Sequence, residues 1–168
     1  MNRVAWWTTV IATSGRAAAV SPSASPTSSR TIRLGWAETR EYSSPHMTFH
    51  VAWVRIMGDR WTVRASFTNK GTSALLVTPQ QWAAGTFSPH YGFAIVSPGS
   101  EHESVGAKTS TPTIPARIKP GATWSGTFGG TGATRLPRGT KLSISFGYFI
   151  VASVGNGFSW LTQHSFRL

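Results

Sequence analysis

The sequence predicts an all-β domain, a two-sheet antiparallel, immunoglobulin-like sandwich of about eight strands. Short runs alternate apolar with polar residues, clusters of Gly, Pro, Asn and Ser separate them, and no segment sustains a helical period. The clearest signal is a hairpin over residues 48–69, where two alternating runs meet at Gly58-Asp59, a dipeptide suited to a two-residue turn.

In chain order, the alternation predicts strands over 32–37, 49–57, 60–68, 74–78, 91–96, 113–118, 123–128, 142–151 and 158–168. The turns between them carry their own chemistry: Asn69-Lys70-Gly71 after the third strand, Pro120-Gly121 before the seventh, and Leu136-Pro137-Arg138-Gly139 before the long eighth. The glycine-rich stretch 129–132 reads as a turn and not as a phosphate loop, because no strand-then-helix context surrounds it.

A two-residue loop at 58–59 sets the pairing, so that Val54 faces Val63, Ile56 faces Trp61, Ala52 faces Ala65 and His50 faces Phe67 on the inner side. The outer side then carries Val51, Trp53 and Arg55 beside Thr62, Arg64 and Ser66. Trp53 lies opposite Arg64, a cation–indole pairing worth about 0.5 to 1 kcal/mol when exposed.

Residues 65–77 and 118–128, with their Asn-x-Gly and Pro-Gly turns and the closing Gly126-Thr127-Phe128, resemble the immunoglobulin-like domains of exported bacterial proteins. The likeness spans about 49–151 and implies an extracellular or envelope-associated binding or spacer module. It transfers no catalytic residue.

Composition narrows the chemistry. Sixteen Lys and Arg against five Asp and Glu give a formal +11, a field that draws polyanions without choosing among them. The chain has no cysteine, which excludes disulfides, thiolate zinc sites and cysteine nucleophiles. Residues 1–19 have the pattern of an export signal: Arg3, an apolar stretch from Val4, then Ala17, Ala18 and Ala19. Cleavage after Ala19 would remove Arg3 and Arg16 and leave a net +9. Residues 20–30 read as a Ser/Pro/Ala linker, so the expected organisation is a leader and linker over 1–30 and a domain over 31–168. No stretch has the roughly 18 apolar residues of a membrane span.

Catalysis has little to work with. The carboxylates are Glu38, Glu41, Asp59, Glu101 and Glu103; Asp59 sits at a hairpin tip and the last two in a polar loop. Neither a glycosidase pair nor a Gly-x-Ser-x-Gly nucleophile is indicated. No metal site or cofactor is expected either: His46 and His50 would sit about 13 Å apart along a strand, and Glu101-His102-Glu103 falls in the polar loop.

The aromatic inventory gives the best lead. Trp61, Trp124 and Trp160 have the parity of core residues, whereas Trp53 does not, and Trp82 lies in a loop followed by His90 and Tyr91. Trp53, Arg64, Trp82, His90 and Tyr91 are therefore the candidate ligand-binding residues. The expected function is a non-catalytic, secreted or cell-envelope binding or spacer module, facing an unidentified protein or an acidic or sugar polymer at the cell surface. Alternatives are a carbohydrate- or wall-polymer-binding module, a basic nucleic-acid-binding β domain, and a peptidase inhibitor acting through the long loop 98–120.

Overall fold

A computed structural model describes residues 28–40, 47–77, 92–98 and 104–168. They form eleven strands: β1 (Ser29–Arg40), β2 (Met47–Met57), β3 (Arg60–Asn69), β4 (Leu75–Val77), β5 (Ala94–Val96), β6 (Ser104–Gly106), β7 (Thr109–Thr111), β8 (Arg117–Ile118), β9 (Thr123–Thr131), β10 (Ser143–Val151) and β11 (Gly157–Leu161). Two antiparallel sheets pack against each other. The first has the order β1-β2-β3-β9-β7; the second has β6-β5-β10-β4-β8, with β11 on β10.

With β2, β3, β9 and β7 in one layer and β4, β10 and β11 in the other, the arrangement is the A-B-E-D and C-F-G order of an immunoglobulin-type sandwich. The extra strands come from β1 and from short pieces. Ser145 pairs with both Ala94 and Leu161, and Phe149 with both Val77 and Phe158, so β5 and β4 lie end to end along one edge of β10 while β11 takes the other.

Phenylalanine fills the space between the layers. Phe49, Phe67, Phe93, Phe128, Phe146 and Phe149 are all at most 1% exposed. Their rings meet mainly tilted or edge to face, as in Phe93–Phe128 at 5.2 Å and Phe67–Phe149 at 5.4 Å. Gly147 makes this possible: its φ of +23° accompanies a register shift in β10, and a Cβ there would lie 2.5 Å from the Phe93 ring.

The hairpin turn falls at Gly58-Asp59, with Gly58 at φ +58°. Near it the register is as predicted, with Val54 opposite Val63, Ile56 opposite Trp61 and Trp53 opposite Arg64. Beyond it the strand departs from expectation. Ala52 is a bulge, so Val51 faces Ala65 and Phe49 faces Phe67. Val51 is therefore buried, and Ala52 and His50 are exposed, the reverse of the regular alternation. One unpaired residue reverses every side chain beyond it.

Other boundaries also move. β1 begins at Ser29, paired with Met57, so the last two residues of the expected linker belong to the sheet. Residues 129–131 are not a turn: Gly129 and Gly130 extend β9 against Thr62 and Trp61. Of the predicted strand 113–118 only Arg117–Ile118 is extended, while β6 and β7 divide what was expected as the irregular loop 98–120. The predicted turns at Asn69-Lys70-Gly71 and Pro120-Gly121 form as read. Ala122 donates to the Lys119 carbonyl across Pro120-Gly121, and buried Asn69 binds its own turn by accepting from Gly71 N–H and donating to the Ser73 and Ile118 carbonyls.

Candidate functional site

The outward side of the first sheet is a lattice set by strand register. One row runs Arg33, Trp53, Arg64, Thr127, Thr111 across β1, β2, β3, β9 and β7; the adjacent row runs Thr31, Arg55, Thr62, Gly129, Thr109. On the other side of the bulge, His50, Ser66 and Ser125 form a further row. The alternation that sends Val54, Val63 and Phe128 into the core sends these residues out.

Trp53 sits half-buried at the centre. The Arg55 guanidinium lies over it, its Cζ 4.9 Å from the ring centroid, and the Arg55 Nε–H donates to Thr31 Oγ1 at 3.1 Å. Arg64 is opposite Trp53 as predicted, but the guanidinium over the indole is that of Arg55; Arg64 instead reaches toward Ser125 Oγ at 3.5 Å. Arg33, Arg55, Arg60 and Arg64 are all exposed. Among the described residues no carboxylate shares the face.

No protein-family model, curated protein or solved structure matches this chain.

The two described carboxylates are engaged elsewhere. Asp59 at the hairpin tip accepts from Gly132 N–H at 3.0 Å, Thr134 N–H at 3.2 Å and the Thr134 hydroxyl at 2.6 Å, and so caps a short 3-10 turn over Ala133–Arg135. These bonds, the Thr134 hydroxyl first, hold its carboxyl below the ordinary range.

Glu38 is buried at the inner side of β1. It accepts from Trp160 Nε1–H at 2.8 Å, Gln163 N–H at 3.1 Å and His164 N–H at 3.0 Å, and its Oε1 lies 2.7 Å from His164 Nδ1. Burial pushes this carboxyl up, but the bonds from His164, Gln163 and Trp160 outweigh it and leave it below the ordinary range. The His164 ring is half exposed and stacks on Trp36 with centroids 5.5 Å apart. The sequence offered no signal for this cluster, because its members stand more than 120 residues apart.

Of the five predicted binding residues, the structure brings Trp53 and Arg64 together; Trp82, His90 and Tyr91 lie outside the described residues, as do His46, Glu41, Glu101, His102, Glu103 and the leader up to residue 27. No group of three metal-ligating side chains occurs among the described residues, and none of their helices is long and apolar enough to cross a membrane. A shallow groove of about 500 Å³ continues the face toward β7, lined by Arg60, Thr62, Lys108, Thr109, Thr127 and Thr131 among others.

Proposed function

We propose that this chain is a non-catalytic, exported or cell-surface binding module whose working surface is the outward side of its five-stranded sheet and whose partner is an acidic polymer of the cell surface. One observation carries the reading: four exposed arginines and a field of threonine and serine hydroxyls share a face that holds no described carboxylate. Arginines collected without counter-charges repel one another, and an anionic partner relieves that repulsion. The non-catalytic part of the reading rests on the sequence, which indicates neither a glycosidase carboxylate pair nor a Gly-x-Ser-x-Gly nucleophile. Export is supported by the signal-like pattern of residues 1–19.

Retention of the full chain on carboxylated, sulfated and phosphorylated beads tests the reading. Wild type should be held at low salt and released as salt rises, since the contacts displace counterions. Arg33→Glu with Arg64→Glu should elute much earlier than Arg117→Glu with Arg138→Glu, which changes net charge equally away from the face. Equal elution of the two double variants would refute the assignment of the surface.

A further inference from the structure

We infer that Arg33, Arg55 and Arg64, grouped around Trp53, form a receptor for an acidic polysaccharide, one whose sugars carry carboxylate or sulfate groups. The inference rests on the reading of this face as the binding surface and specifies its ligand.

Three features of the group point to oxyanions. Arg33 and Arg64 flank Trp53 in register on the neighbouring strands, each about 4.8 Å away in the pairing direction. Arg55 follows two residues after Trp53 on the same strand and is held twice, by its position over the indole and through Nε–H to Thr31. Its two terminal nitrogens have no partner among the described residues. A guanidinium fixed in this way presents a ready fork for a bidentate carboxylate or sulfate and loses little side-chain entropy on binding. Around the trio stand the hydroxyls of Thr62, Ser66, Ser125 and Thr127, which both donate and accept, as the hydroxyls of a sugar chain require.

The same geometry disfavours nucleic acid. Single strands bind on open aromatic platforms, and the described aromatic of this face already has Arg55 over its ring. A duplex fares no better, because five strands span roughly 19 Å against a major groove about 12 Å wide that takes a helix or a two-stranded ribbon. Trp53 therefore acts as a support that positions Arg55, and its open stacking on a sugar ring is not needed.

Calorimetric titration of the full chain with polygalacturonate and heparin, and with linear polyphosphate, oligo-dT and neutral dextran, tests this. The acidic polysaccharides should bind more tightly than polyphosphate or oligo-dT at matched charge, and dextran not at all. Arg33→Gln with Arg64→Gln should weaken polysaccharide binding by at least about tenfold, as expected for lost charge-assisted hydrogen bonds, and Trp53→Leu by several-fold. Arg117→Gln with Arg138→Gln should leave it near wild type, and circular dichroism checks that each variant folds. Polyphosphate or oligo-dT binding as tight as polysaccharide would overturn the ligand assignment while leaving the acidic-polymer reading intact. Wild-type affinity in the Arg33/Arg64 variant overturns the receptor. Failure to bind any polyanion overturns both.

Discussion

Glu38 shows how much one side chain can hold when its surroundings supply the donors. Two backbone N–H groups, an indole and an imidazole converge on a carboxylate that is 8% exposed, and they join the first strand to β11 and the segment after it. Because the folded carboxyl titrates lower than it would in the unfolded chain, its stabilisation is complete above the ordinary carboxylate range and is lost as pH falls through the folded value. Glu38→Gln places an amide among these donors and should cost about 1 to 3 kcal/mol at neutral pH. In urea melts taken across the acid range, the wild-type midpoint should fall below pH about 4.5, whereas the variant should be lower at neutral pH and flatter in acid, the two curves converging. Asp59 contributes in the same direction in both proteins, so the comparison between them isolates Glu38.

At the scale of elements, the bulge at Ala52 decides which residues of β2 face the core. Deleting Ala52 removes a residue that has no register partner on β3, so Val51 and Trp53 become neighbours and both halves of the strand keep their faces. Deleting Ala65 instead shifts β3 by one residue within a continuous ladder to β9 and turns half of its inward set outward. Thermal unfolding should show a cooperative, somewhat lower transition for the Ala52 deletion and none for the Ala65 deletion. The same residues mark what the sequence could and could not reveal. Val63, Ala65 and Phe67 alternate cleanly with polar residues, so the inward side of β3 was legible, and with it the opposition of Trp53 and Arg64. Val51-Ala52-Trp53-Val54 is four apolar residues in a row, where alternation carries no phase, and the bulge hides there. Arg33 joined the site only through the pairing of β1 with β2. Glu38 and His164 met through the closing of the whole sandwich, a contact that no local pattern encodes.

For the whole molecule, the core of the described residues is built between the two sheets, and its buried apolar side chains form one contiguous cluster. A chain beginning at Ser28 should therefore unfold in a single transition with a midpoint close to that of the full sequence; loss of cooperativity would show that earlier residues complete the fold. Calorimetry of the two proteins side by side makes the comparison. The tie between Glu38 and the segment after β11 also has a mechanical meaning. If the protein is tethered through the residues before Ser29 while its sheet grips a polymer, tension enters β1 lengthwise. The ladder to β2 then resists in shear, with its hydrogen bonds loaded together and not one by one, and the buried carboxylate passes part of the pull across to the second layer.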